Sequence, residues 1–140
     1  MTNEKCRVIL HAEDEPAHAE IVRFAIQRNV GDVQLMHVGD GREALDYLYR
    51  RGPYEDPAVS PRPDLMILDL RMPHASGLDV LAIVKNDPER QTIPVVILTT
   101  SDVEEDRSAA HACGVDGYLT KPVNFDKFVS MIDKLCVAWL

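Results

Sequence analysis

Residues 66–73 read MILDLRMP. Met66, Ile67 and Leu68 run without interruption into Asp69. A strand with one wet face alternates apolar and polar side chains. A continuous apolar run bounded by polar residues marks a strand covered on both faces, as in a parallel sheet flanked by helices. The acid that ends this run has two readings. It is a plain turn residue, or it stands where open α/β sheets bind ligands, at the carboxyl ends of their strands.

The rest of the chain repeats the pattern. IPVVILT (93–99) is a second near-continuous apolar run, and RVILHAE (7–13), DVQLMHV (32–38) and DGYLT (116–120) read as further strands. Between them lie helical stretches: Pro16 to Arg28 with Ile21, Phe24, Ala25 and Ile26 on an apolar side; Arg42 to Arg50 with Ala44, Leu45 and Leu48; Gly77 to Asn86; Asp102 to Ala112; and Asn124 to Trp139. Pro16 suits a first helical turn, where its missing N–H costs nothing. Gly39-Asp40-Gly41 breaks the second strand, and RGPYEDPAVSPRP (51–63), with four prolines and a glycine, reads as a loop. Five βα units predict a single α/β domain, an open doubly wound parallel sheet.

The composition agrees. A chain of 140 residues with 46% hydrophobic and 27% charged residues suits one globular domain. Its net charge of −8 repels nucleic-acid phosphates, so no nucleic-acid partner is expected. No apolar run approaches the ~20 residues of a membrane span, and MTNEKCRVIL lacks a signal-peptide pattern. A cytoplasmic protein without membrane attachment is expected. Cys6, Cys113 and Cys136 lack paired metal-ligand spacing and read as small buried hydrophobes. His111 and Cys113 stand two apart without further ligands nearby.

The strand ends carry the chemistry. Strand one ends in Glu13-Asp14-Glu15, strand three in Asp69, strand four in Thr99-Thr100, and strand five in Thr120-Lys121-Pro122. Each has an ordinary reading alone: acids before a helix suit its dipole, threonines cap turns, and Lys-Pro is a surface turn. In a parallel sheet all of them converge on one edge. Clustered carboxylates repel, and a bound divalent cation offsets the repulsion; oxygen-only donors suit Mg²⁺. One carboxylate can then attack a phosphoryl group, with a lysine and a hydroxyl binding its oxygens.

The spaced motifs VILHAEDEP, MILDLRMPHASG, PVVILTTSD and GYLTKP together resemble the response-regulator receiver family over nearly the whole chain. The resemblance implies a flavodoxin-like (βα)5 fold with strand order 2-1-3-4-5. Residues 1–140 would be one receiver domain with no output domain. It implies that Asp69 is the phosphoacceptor, charged by a sensor histidine kinase in a Mg²⁺-dependent reaction. Asp14 and Asp69 would bind the metal, with the backbone carbonyl of Arg71, and Glu13 would reach it through water. Thr99 and Lys121 would engage the phosphoryl group. Tyr118 would be the aromatic switch that turns inward when Thr99 moves, and Pro122 would follow a cis peptide bond that orients Lys121. Glu13 stands where aspartate is commoner. Arg71 occupies a variable position that influences phosphate lifetime, and Thr100 is small enough to leave room for a phosphoryl group or partner. Output would come through altered contacts with an unidentified downstream protein or by onward phosphotransfer.

A narrower resemblance lies in the Pro-rich segment, in HVGDGREALDYLYR, in KNDPERQTIPVVILTTS and in FDKFVSMIDKLCVAWL. These look like the stand-alone regulators paired with phytochrome kinases. In the last helix, Phe125, Phe128, Val129, Ile132, Leu135, Cys136 and Trp139 form one apolar stripe, widened by Met131, Ala138 and Leu140. Its breadth, with similar regulators in view, predicts a homodimer through helix 4, strand 5 and helix 5. Three other readings compete. A Mg²⁺-dependent aspartyl phosphatase of the haloacid dehalogenase class would want aspartate at Arg71. A receiver-like binding module independent of phosphorylation would have lost residues that this chain keeps. A nucleotide-binding domain would show GxGxxG or a P-loop.

Overall fold

The computed structural model describes residues 7–28 and 32–140; Cys6 lies outside them. The elements alternate as β1 (Arg7–Ala12), α1 (Pro16–Arg28), β2 (Val33–Val38), α2 (Gly41–Leu48), β3 (Leu65–Leu68), α3 (Gly77–Lys85), β4 (Val95–Thr99), α4 (Glu104–Ala112), β5 (Gly117–Thr120) and α5 (Phe125–Trp139). The five strands form one parallel sheet in the order β2-β1-β3-β4-β5, as expected. No helix among the described residues is long and apolar enough to cross a membrane.

The continuous apolar strands have the environment their composition demands. Every residue of β3 and β4 is buried. One face of the sheet packs Leu10, Met66, Leu68 and Ile97 against Ala44, Tyr47, Val80, Leu81 and Val84 of α2 and α3. The other packs Ile9, Ile67, Val96 and Leu98 against Val22 and Ala25 of α1 and Phe128, Ile132 and Leu135 of α5. Each buried Val, Leu, Ile, Phe or Met among them contributes about 1.5–3 kcal/mol.

The helix starts are explained by their caps. Asp40 accepts the N–H of Glu43 at 2.8 Å, so α2 begins at Gly41, one residue before the expected Arg42. Its end also falls early, at Leu48, because Arg50 adopts a positive φ of 52°. Ser76 and Asp79 form a capping box at α3, and Asn124 caps α5 through the N–H of Lys127. α4 has no side-chain cap and buries only Ala110, so it starts at Glu104 rather than Asp102. Segment 51–63 contains a 3₁₀ turn at Gly52–Tyr54. It is pinned by Tyr54 Oη donating to Glu43 at 2.5 Å and Tyr47 Oη donating to the Pro61 carbonyl at 2.7 Å.

The α5 stripe packs as expected over Phe128, Val129, Ile132, Leu135 and Cys136. Phe125 is half exposed and rests against Phe24 of α1 instead of the sheet. Between β5 and α5 lies a groove of about 620 Å³, lined in part by Leu119, Met131, Ala138 and Trp139.

Candidate phosphoacceptor and metal site

The parallel register brings the strand ends together. Asp69 follows β3, and its backbone N–H donates to the Ala12 carbonyl at 3.0 Å, which locks it beside the end of β1. The carboxylates of Glu13, Asp14 and Asp69 offer oxygens that all lie within 4.8 Å of one another. Glu13 is buried, Asp69 half-buried and Asp14 exposed, so the cluster forms a short ramp from core to solvent. Asp69 Oδ1 accepts the N–H of Leu70 at 2.8 Å.

Backbone proximity requires glycine next to Asp69. A Cβ on Gly77 would lie 2.2 Å from the Asp69 carbonyl oxygen. The start of α3 can therefore pack directly under Asp69 only because residue 77 has no side chain.

Lys121 enters from the end of β5, where its N–H donates to the Thr99 carbonyl at 2.7 Å. Its ammonium lies 2.5 Å from Glu13 Oε1 and 3.5 Å from Asp69 Oδ2. The Lys121 and Glu13 side chains are 3% and 0% exposed, so each charge depends on the other. Burial pushes the Glu13 carboxyl up to about 7, against the pull of Lys121. Glu13 Oε2 also accepts the N–H of Glu15 at 3.1 Å.

The Lys121–Pro122 bond corrects an expectation. The family resemblance implies a cis bond there, but no cis peptide bond occurs among the described residues. Trans is the lower-energy form even before proline. Lys121 is aimed by the sheet bond to Thr99 and by its buried carboxylate partner instead.

Thr99 is buried, and its hydroxyl accepts the N–H of Ser101 at 3.3 Å. Tyr118 is already inward: it is 8% exposed and donates to the Ser101 carbonyl at 3.0 Å, with the Arg107 guanidinium 4.7 Å from its ring centre. Burial raises the Tyr118 hydroxyl above its usual pKa. Arg71 is exposed but anchored. Its guanidinium pairs with Asp106 of α4 at 2.7 Å, and the same Asp106 oxygen accepts the Ser101 hydroxyl at 2.6 Å. On the other side of the β3–α3 loop, His74, at φ 69°, pairs with Asp40 at 2.9 Å. That loop is thus fastened to both α2 and α4.

Sequence reasoning missed His18. Its Nδ1 lies 3.0 Å from the Lys121 ammonium. A signal existed: residues 18, 22 and 25 share one helical face, and Val22 and Ala25 are buried. A polar side chain in that register at the first turn points toward the sheet edge. His111 and Cys113 belong to no metal-ligating group among the described residues.

The oxygen-only cluster suits a hard divalent cation held with water, and the ammonium beside Asp69 suits an anion arriving there. Comparison with known proteins points the same way. A family model described as the response regulator receiver domain matches residues 9–133. The chain belongs to that family. It is 38% identical to response regulator Rcp1 of Synechocystis sp., over 96% of this chain and 89% of that one. The Mn²⁺-bound form of Rcp1 superimposes with a TM-score of 0.89, covering 96% and 94% of the two chains. The phosphorylated cyanobacterial phytochrome response regulator RcpA matches at TM-score 0.90 and 33% identity, again over 96% and 94%. The bacteriophytochrome response regulator AtBRR matches at 0.77 and 36% identity, over 98% and 97%. This receiver therefore sits among relatives that include two phytochrome response regulators, one of them phosphorylated, and a response regulator holding Mn²⁺.

Proposed function

We propose that this receiver accepts a phosphoryl group on Asp69 from the phosphohistidine of a sensor kinase. The observation that carries the reading is the meeting of Asp69 with Glu13, Asp14 and Lys121 at one sheet edge. An Asp69 carboxylate oxygen attacks phosphorus as the P–N bond to the kinase imidazole breaks, and the electron pair leaves on that ring. Lys121 and the Thr99 hydroxyl bind the transferred oxygens. Asp14, Asp69 and the Arg71 carbonyl would hold Mg²⁺, with Glu13 behind it through water. Bound Mg²⁺ neutralises the carboxylate and phosphoryl charge that would otherwise keep the two apart.

The output follows from what is tied to the site. Thr99 contacts Ser101, Ser101 contacts Tyr118 and Asp106, and Asp106 contacts Arg71. When Thr99 turns to the phosphoryl group, this chain of contacts would be disturbed at α4, which is held by one buried residue, Ala110. The likeness to phytochrome regulators supports a phytochrome-type kinase as partner. The apolar groove between β5 and α5 supports a homodimer through α4, β5 and α5. The chain would act in the cytoplasm as one receiver domain, signalling by contact or onward phosphotransfer rather than by turning over a substrate.

Transfer from an autophosphorylated phytochrome kinase tests the partner. Phosphoryl should pass to this receiver in seconds to minutes with Mg²⁺, and faster than from an unrelated kinase. Equal rates from both would remove the phytochrome assignment, and transfer undiminished by a chelator would remove the metal. Mass measurement in solution tests the dimer: a strict monomer at high concentration, phosphorylated or not, would sink it.

A further inference from the structure

Lys121 has a third partner beyond the two carboxylates. Its ammonium carries three N–H donors, and three acceptors surround it: Glu13 Oε1 at 2.5 Å, His18 Nδ1 at 3.0 Å and Asp69 Oδ2 at 3.5 Å. The contact to Asp69 is the longest, and it is the one that the chemistry uses. An ammonium is a compact head that spins about its last C–N bond. One acceptor sets that rotation but leaves the nitrogen free to swing about the single hydrogen bond on its flexible stem; a second acceptor fixes where the nitrogen sits and so where its third proton points.

We propose that His18 is a positioning residue for phosphoryl uptake at Asp69: its Nδ1 holds one Lys121 proton and thereby aims another at the acceptor. This rests on the phosphoacceptor reading above. The imidazole is itself held. It is half-buried in the first turn of α1, on the same face as buried Val22 and Ala25. Its ring centre lies 6.0 Å from that of Phe128, which is buried. Burial, followed by the nearby Lys121 charge, lowers its pKa below the ordinary histidine value, so the ring is neutral and free to accept. An ammonium has no lone pair, so the contact requires an unprotonated Nδ1 and puts the ring proton on Nε2. If His18 did nothing but pack on Phe128, either tautomer and any ring of similar size would serve.

That difference defines the test, made on the full chain with acetyl phosphate and Mg²⁺. His18→Asn carries an amide oxygen at the bond distance from the backbone that Nδ1 has, whereas His18→Gln carries one at the distance of Nε2. His18→Phe keeps the ring and loses the acceptor. The phosphorylation rate constant should fall about five- to tenfold in the Phe and Gln variants and stay within about twofold of wild type in Asn. Mg²⁺ affinity, which His18 does not set, should be equal in all four. A Phe or Gln variant as fast as wild type overturns the proposal, as does an Asn variant as slow as Phe. Nitrogen-15 NMR of the wild-type imidazole at neutral pH is a second measurement that needs no phosphorylation: the Nε2–H tautomer is expected, and Nδ1–H overturns the role. Failure of the wild type itself to take up phosphoryl would instead count against the phosphoacceptor reading.

Discussion

Lys121 lies closer to Glu13 than to Asp69, at 2.5 Å against 3.5 Å. Before any phosphoryl group arrives, the lysine is committed to a buried carboxylate of the acidic pair. The site is therefore assembled around an internal ion pair, which the proposed phosphorylation of Asp69 would have to re-divide.

Removing one member of that pair should cost more than removing both. Lys121→Met strands Glu13 in the core and is expected to destabilise the metal-free protein by about 3 kcal/mol. Adding Glu13→Gln should restore about half of it or more. The sign with pH follows from Glu13, whose folded pKa lies above its unfolded value. A carboxyl of that kind is stable to bury on the acid side and costs stability as pH rises through about 7, so the loss in Lys121→Met grows toward alkaline pH. Urea denaturation with a chelator present measures it; a loss below about 1 kcal/mol contradicts the role of the pair.

Gly77→Ala should damage both stability and phosphoryl uptake. The new methyl would meet the Asp69 carbonyl oxygen at 2.2 Å, and that oxygen is backbone, so either α3 or Asp69 must move. A loss of about 1–3 kcal/mol is expected, with uptake reduced at least tenfold. Normal uptake in a folded Gly77→Ala protein would show that the contact between α3 and Asp69 is slack.

His11 should make the metal-free fold sensitive to acid. It is 1% exposed, and its Nδ1 has no hydrogen-bond partner among the described residues. Burial first, then His37 and Lys121, pull its pKa down to about 3. The unfolded chain then binds a proton that the folded chain refuses between its ordinary value of 6.5 and about 3. Stability is fully present above that window and falls within it by about 1.4 kcal/mol per pH unit for this one proton. His11→Leu should flatten the slope by one proton; an unchanged slope would assign the acid sensitivity elsewhere.

Arg71 and Asp106 should act as a unit on phosphate lifetime. The Arg71 side chain is 73% exposed, so the pair adds under about 1 kcal/mol to stability. It fastens the site loop to α4, and losing it opens that side to water. Arg71→Ala, Asp106→Ala and the double variant should each shorten the aspartyl-phosphate half-life by the same factor, about two- to fivefold. Additive effects of the two changes would mean that they work independently.

The parts of this molecule that are legible in sequence are those with a one-dimensional signature. Met66 to Leu68 and Val95 to Leu98 are apolar throughout, and buried throughout, because a parallel sheet covered on both faces buries both sides of its central strands. The strand-end rule then places Glu13, Asp14, Asp69, Thr99 and Lys121 on one edge. What escapes are partners fixed only by the tertiary arrangement. His18 meets Lys121 across 103 residues, and Arg71 meets Asp106 across 35. Both contacts depend on how far a helix's first turn sits from a neighbouring strand end, which no spacing encodes. The start of α4 escapes for a related reason: its cap position is Val103, which has no side-chain acceptor, and Ser101 reaches only the Val103 N–H while donating its hydroxyl to Asp106.

The role of Asp69 as phosphoacceptor is tested most directly by mass. The protein is exposed to acetyl phosphate with Mg²⁺, and its intact mass and peptide map are read before and after. One added phosphoryl group is predicted, on Asp69, absent when the metal is chelated and absent in Asp69→Asn. No adduct, or an adduct that survives in Asp69→Asn, would contradict that role.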